Sequence, residues 1–352
     1  MEKHTFCHKL ISWYQKYKRD LPWRHTRDPY FIWLSEVILQ QTRVKQGLPY
    51  YLRFVEAFPT VQDLAQADEK DVLRLWQGLG YYSRARNMHL TAKLVADERA
   101  GIFPFRYEEL LKLKGIGTYT AAAIASFAFD EKAAVLDGNV FRVLARVFGI
   151  ETDIASHQGK KIFTRLANEL LPDTQTDQYN QAIMEFGAIQ CTPQTPNCMF
   201  CPLNNYCAAN LTGRQDRLPV KSKKTRISQR FFHYFVVQQG ELIYMKERRE
   251  KDIWSGLYDF YLQEAEQLLS LEELSANPEI RDLLRHAAIE GESEVFTHVL
   301  THQRIQIRFW KLRLSDDVVP LFLGNQQFFS REEIERLPKS ILIENYLNRY
   351  YI

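Results

Sequence analysis

Apolar residues recur at three- and four-residue spacing through the first two hundred positions of this 352-residue chain. The segments Tyr30–Gln41, Val72–Leu79, Ala121–Phe129 and Gln178–Ile189 carry that period, separated by short turns with Gly or Pro. The spacing predicts helices, and two-residue alternation is scarce before position 210. The pattern then changes. From Thr212 to Arg230 the sequence TGRQDRLPVKSKKTRISQR is polar and basic and predicts a linker. Strand-like segments follow at Phe231–Gln238, Leu242–Lys246, Gly256–Leu262, Val295–His298 and Ile305–Leu314, interrupted by a charged helical stretch, Leu268–Arg285. Ser330 and Glu333 have capping-box spacing and predict the start of a final helix. The expected organisation is multidomain: an all-α domain over 1–211, a basic linker over 212–229 and a smaller α+β domain over 230–352, without an internal repeat.

Length agrees with two domains, each large enough for its own core. No apolar run reaches the length that spans a bilayer, and the N-terminus has neither an apolar signal core nor a small-residue cleavage site. These features predict a soluble, intracellular (cytoplasmic) chain with no membrane partner. A net charge of +3 permits a polyanionic partner without requiring one.

Candidate chemistry begins with cysteine. Four of the five fall within one short loop, as Cys191-x6-Cys198-x2-Cys201-x5-Cys207. Four soft thiolates in one loop can close a site around zinc or an iron–sulfur cluster, and the spacing leaves both open. The loop contains three prolines, so it forms no regular helix or strand. A disulfide pair fits less well, since nothing else points to an oxidising compartment.

Three further motifs carry weight. In LLKLKGIGTYTAAA, Gly115 and Gly117 flank one residue between two helical patterns. Such a hairpin aims backbone N–H groups outward at a helix N-terminus, where a phosphate can bind; it can equally be an ordinary connection. In FIWLSEVILQQT, Glu36 is the only ionisable residue, and no polar face precedes Gln40. Burial there raises a carboxyl pKa and keeps the acid form available for proton donation. Asp137, in AAVLDGNVFRVLAR, is placed either to cap a helix or to face a cleft, and its position does not decide between the two.

Together with LPWRHTRDPYFIWLSEVILQQTRV, WQGLGYYSRARN and YNQAIMEFGA, these motifs resemble the bacterial MutY-type adenine DNA glycosylases of the endonuclease III superfamily, essentially end to end. The resemblance implies a helix–hairpin–helix domain with a [4Fe–4S] cluster on Cys191, Cys198, Cys201 and Cys207, followed by a Nudix-like domain. It implies a monomer that excises adenine opposite 8-oxoguanine or guanine in double-stranded DNA and leaves an abasic site, in base excision repair. A sliding clamp or other repair protein as partner is left open. Glu36 would be the general acid at adenine N7, Asp137 the carboxylate facing the oxocarbenium-like sugar, and Asn139 its support. Trp23, Arg24, Leu39 and Gln181 would line the base pocket, and Gln41 and Tyr81 would wedge into the duplex. Tyr119 occupies the place where bifunctional relatives carry a lysine nucleophile, and phenol forms no Schiff base. That substitution predicts a monofunctional enzyme.

In the C-terminal segment, Arg331, Glu332 and Glu335 imitate part of a Nudix hydrolase signature, but Asp317 stands where its glycine belongs. An amphipathic helix is the simpler reading, so this domain is expected to bind rather than hydrolyse. The lesion-reading loop of the resembled family, Phe-Ser-His, corresponds to Leu300-Thr301-His302, with the hydroxyl and imidazole kept and the aromatic lost. Thr301 and His302 are thus expected DNA contacts. The linker cations Arg214, Arg217, Lys221, Lys223, Lys224, Arg226 and Arg230 are either a solvated tether or phosphate contacts.

Overall fold

The computed structural model describes residues 2–222, 227–315, 320, 322–323 and 327–351. Chain contacts divide it into two compact units, Met1–Gln66 with Asn87–Lys223, and Ala67–Arg86 with Lys224–Ile352. Among the described residues no strand precedes Ser228, as the helical periodicity predicts. No described helix is long and apolar enough to cross a membrane.

The first unit is built of helices around a core that includes Phe6, Leu10, Leu144, Phe163 and Ile183. Four of its helices position the chemistry: Pro29–Ile38, Thr118–Phe129, Gly138–Phe148 and Thr176–Glu185. Asp28 caps the first of these by accepting from the Tyr30 N–H at 2.8 Å, and Pro29 supplies a preset first turn. The predicted run Tyr30–Gln41 is too long by a turn. Leu39 closes the helix, and Gln41 adopts a left-handed φ of 55°, a conformation that ends helical propagation. The predicted run Gln178–Ile189 likewise changes at Phe186, where a wider π turn spans Phe186–Gln190.

The stretch expected as a linker is partly packed. Leu218 is buried in the helical core, and the Ile154 N–H donates to the Val220 carbonyl at 3.0 Å. Arg214 is paired with Glu151. Arg230 is not a linker cation: it lies in a strand and is bound by Asp252 and Glu264, each at 2.7 Å. Lys223, Lys224 and Arg226 lie outside the described residues.

In the second unit the strands are β1 (Ser228–Gln239), β2 (Leu242–Tyr244), β3 (Lys246–Glu247), β4 (Tyr258–Asp259), β5 (Tyr261–Ala265), β6 (Ala287–Glu292), β7 (Phe296–Val299), β8 (Gln303–Leu314) and β9 (Phe328–Phe329). The main sheet runs β6-β8-β1-β2-β9, with β5 also paired to β1 and β7 to β8. Strands β1 and β8 are parallel; the other pairings of this sheet are antiparallel. β6 escapes the alternation test because nearly all its residues are exposed and its register shifts between Ile289 and Gly291. The helix predicted from Ser330 forms with its capping box, but stops at Arg336. Pro338 lacks a donor N–H and keeps Leu337 extended, so a separate helix, Ile341–Tyr350, restarts at Ser340.

Residues 67–86 depart from the expected 1–211 domain, since their contacts are with the C-terminal residues. The Lys339 N–H donates to Gln77 Oε1 at 3.0 Å, and the Tyr82 hydroxyl donates to the Lys339 carbonyl at 3.2 Å. Leu73 packs close to Gly256, which has a φ of +80°.

Candidate active site

The Pro29–Ile38 helix is buried from Ile32 to Ile38, and Glu36 within it is only 7% exposed. No face of this helix offers water to the carboxyl. Loss of hydration pushes the Glu36 pKa up to about 7, with the Asp137 charge adding to the rise. Two influences oppose it: the Tyr119 hydroxyl, which donates to Glu36 Oε2 at 2.6 Å, and the Arg24 guanidinium. Burial beside Glu36 drives the Tyr119 phenol pKa well up, so it remains a donor.

Asp137 caps the Gly138–Phe148 helix, one of the two roles its sequence position allows. Its Oδ1 accepts from the Asn139 and Val140 N–H groups, both at 2.8 Å, and its Oδ2 accepts from Asn139 Nδ2 at 2.7 Å. Burial raises the Asp137 pKa, against the pull of these three hydrogen bonds and of Arg142. Capping and facing a cleft are not exclusive: Asp137 and Glu36 line the same cleft, of about 1200 Å3. All expected site residues of the first unit, apart from the cysteines, line it too. Trp23 meets Tyr51 edge to face at 5.0 Å, which sets its ring at the cleft margin.

The hairpin glycines have different reasons to be glycine. Gly115 has a φ of +78°, and a Cβ there would lie 2.8 Å from Asn87 Cβ. Gly117 is the N-cap of the Thr118–Phe129 helix and has open space around it, so the first amides of that helix are approachable.

Sequence reasoning missed Glu185, Arg19 and Arg142. Glu185, 1% exposed, holds Arg24 at 2.7 Å and Arg19 at 2.6 Å, and the pair of guanidiniums keeps its carboxyl at about 2 despite burial. Its i+4 spacing from Gln181 places both on one helical face, a signal present in YNQAIMEFGA. Arg142 donates to Asn139 Oδ1 at 2.8 Å, the Gly187 carbonyl at 2.6 Å and the Cys191 carbonyl at 2.7 Å. One guanidinium thus ties the support of Asp137 to the first cysteine of the loop.

Cys191, Cys198, Cys201 and Cys207 all line one small cavity beneath the loop, with Val147, Phe186 and Leu203. Arg146 Nη1 donates to Cys191 Sγ at 3.4 Å, and the Leu203 N–H donates to Cys201 Sγ at 3.4 Å. Burial pushes the Cys201 thiol up to about 12, and the other three cysteines add to the rise. Among the described residues no three Cys, His, Asp or Glu side chains are grouped to hold one metal ion.

The second unit holds the remaining candidates. Leu300-Thr301-His302 is the turn joining β7 to β8, with Thr301 and His302 exposed and Leu300 half-buried. Tyr81, 41% exposed, shares a hydrogen bond with Thr301 through their hydroxyls. It has a left-handed φ of 49°, and Gln41 in the first unit has one of 55°. Both residues expected to enter a duplex therefore hold strained backbone, as is common at functional sites. The imitation Nudix acids Glu332 and Glu335 are exposed on the Arg331–Arg336 helix, with Arg331 and Glu335 paired to each other at 4.0 Å. Asp317 lies outside the described residues.

The HhH-GPD superfamily base excision DNA repair protein model matches residues 34–172, and a NUDIX domain model matches 233–349. A solved thermostable thymine-DNA glycosylase shares the helical fold with a TM-score of 0.56 and 29% identity, over 60% of this chain and 97% of that one. An endonuclease III solved with DNA aligns with a TM-score of 0.52 at 23% identity, over 60% of this chain and 98% of that one. The hairpin, the buried acid and the capped aspartate thus belong to a base-excision glycosylase fold joined to a Nudix domain. The adenine DNA glycosylase of Buchnera aphidicola subsp. Baizongia pistaciae is 37% identical over 258 residues, 73% of each chain. That of Homo sapiens is 44% identical over 223 residues, 61% of this chain and 41% of the human one. The chain belongs to the adenine DNA glycosylases, hydrolases of N-glycosyl bonds.

Proposed function

We propose that this enzyme removes adenine mispaired with 8-oxoguanine or guanine in duplex DNA by hydrolysis alone, leaving an abasic site. The observation that carries the chemistry is the Glu36 carboxyl, desolvated to a pKa of about 7 and held by Tyr119 in the cleft that Asp137 shares. Adenine leaves slowly as an anion, so departure is eased by a proton at N7. An acid titrating near neutrality donates that proton efficiently. Positive charge then develops on the sugar, and the Asp137 carboxylate, oriented by its three hydrogen bonds, stabilises or traps it before water attacks. Tyr119 occupies the lysine position of bifunctional relatives and has no amine to attack the sugar, which supports a monofunctional reaction.

The base leaves the stack to reach the cleft. Gln41, on the first unit, and Tyr81, on the second, are each read as a residue that enters the duplex. The backbone amides of Thr118, Tyr119 and Thr120, at the start of the Thr118–Phe129 helix, are suited to grip a phosphate. Thr301 and His302, exposed on the β7–β8 turn beside Tyr81, are the groups offered to the opposing 8-oxoguanine. The protein is read as a cytoplasmic monomer whose partner is double-stranded DNA.

The four cysteines are read as ligands of one [4Fe–4S] cluster. Four thiols around one cavity, with N–H donors on three of the sulfurs, fit such a group. When bound, the cluster supplies structural cross-linking of the loop. The bond-breaking step uses Glu36 and Asp137.

The test compares release of adenine opposite 8-oxoguanine, guanine and thymine in single turnover. Release is expected to be fastest opposite 8-oxoguanine, slower opposite guanine and slowest opposite thymine. Equal rates opposite all three would remove the lesion-reading role, and strand cleavage without heat or alkali would remove the monofunctional one.

A further inference from the structure

Among the described residues three carboxyls line the cleft: Glu36, Asp137 and Glu185. The reaction as proposed uses the first two. Burial raises the pKa of both, whereas Glu185 stays ionised although it is 1% exposed, because two guanidiniums enclose it. Its Oε1 accepts from the Arg19 N–H at 2.9 Å, Arg19 Nε at 2.8 Å and Arg24 Nη1 at 3.1 Å. Its Oε2 accepts from Arg19 Nη2 at 2.6 Å and Arg24 Nη2 at 2.7 Å.

Of the two cations, Arg24 is the one that bears on the acid. Its side chain is 14% exposed against 36% for Arg19, so it has less access to water as an alternative partner. Its other contacts, the Arg19 carbonyl at 2.8 Å and the Tyr14 ring at 5.5 Å, bring no negative charge. The groups facing Glu36 are Tyr119, Asp137 and Arg24, and the Arg24 charge already favours the carboxylate there. From the Val44–Ala57 helix, which packs on the Glu36 helix, Lys45 lines the cleft. The groups facing Glu185 are Arg19, Arg24 and Tyr14. A buried guanidinium left unpaired is costly and seeks a carboxylate. Without Glu185, the carboxyls left to Arg24 in this cleft are Glu36 and Asp137. Glu36 paired as a carboxylate with Arg24 has no proton to give.

We propose that Glu185 is a positioning residue that holds Arg24 as its own counter-ion and so keeps Arg24 from pairing with Glu36, leaving the acid its proton. This role rests on the reading of Glu36 as the acid of adenine excision and deepens it.

The experiment is the rate–pH profile of single-turnover adenine release opposite 8-oxoguanine by wild type, Glu185→Gln and Glu185→Asp. Glu185→Gln removes the charge with little change of shape. Its alkaline limb is expected to move to lower pH by about one unit or more, with a much smaller loss of rate on the acid side. Glu185→Asp keeps the charge, and its limb is expected to stay near that of wild type. A loss at every pH with the limb unmoved in Glu185→Gln marks a merely structural role and overturns the proposal. A limb moved equally far in Glu185→Asp also overturns it. In an Arg24→Met background, Glu185→Gln is expected to leave the limb in place, and an equal shift there overturns the route through Arg24. Arg24→Met alone leaves Glu185 its Arg19 partner and serves where Glu185→Gln does not fold. Its limb is expected at higher pH, and a limb unmoved or lower overturns the proposal. If wild type and Glu36→Gln release adenine equally, the acid reading itself fails, an outcome seen with Glu185 intact.

Discussion

The Tyr119 hydroxyl donates to Glu36 Oε2 across 2.6 Å, joining two helices whose residues stand 83 positions apart. A donor to the carboxylate favours its charged form, so this bond limits how far burial raises the Glu36 pKa. Tyr119→Phe is expected to raise that pKa further. The alkaline limb of the rate–pH profile should move to higher pH, and an unmoved limb would show that the bond does not tune the acid.

Stability carries the same signature. Glu36 titrates at about 7 in the folded chain against an ordinary 4.5, so its contribution is full below about 4.5 and is lost as pH rises through about 7. Glu185, held at about 2, behaves oppositely: its contribution is present above about 4.5 and is lost as pH falls towards 2. Glu36→Gln is expected to flatten the stability–pH curve between about 4.5 and 7 while leaving the acid limb. Chemical denaturation across that range measures both limbs.

Much of this site is legible in the sequence. Glu36 stands out because its helix has no polar face, and Asp137 because of the helical pattern that follows it. What the sequence does not reveal is the partnership of distant groups: Tyr119 as donor to Glu36, and Arg142 as the tie from Asn139 to Cys191. Pairings of that kind depend on how helices pack, which periodicity along one segment does not encode. The placement of residues 67–86 with the C-terminal unit is hidden for the same reason.

Gly187 lies against Asn139, and a Cβ there would sit 2.6 Å from Asn139 Cβ and 2.9 Å from its carbonyl oxygen. Gly187→Ala is expected to displace Asn139 from Asp137, slowing base release and lowering the melting temperature. Overpacking of this kind costs about 1–3 kcal/mol. Retention of both wild-type rate and stability would show that the backbone yields without disturbing the aspartate.

Arg142 ties Asn139, Gly187 and Cys191 together through one guanidinium. Arg142→Ala leaves those acceptors without it, at a cost of about 1–3 kcal/mol for a buried unsatisfied group. Base release is expected to fall and, on the proposal that the four cysteines hold an iron–sulfur cluster, so is iron content per chain. Loss of rate with full iron content would confine the role of Arg142 to the Asn139 side.

The most direct measurement is single-turnover release of free adenine, opposite 8-oxoguanine, by wild type and Glu36→Gln near neutral pH. The wild type should release adenine and leave the strand intact, and the variant should be slower by at least about 100-fold. Equal rates from the two proteins would contradict the assignment of Glu36 as the acid.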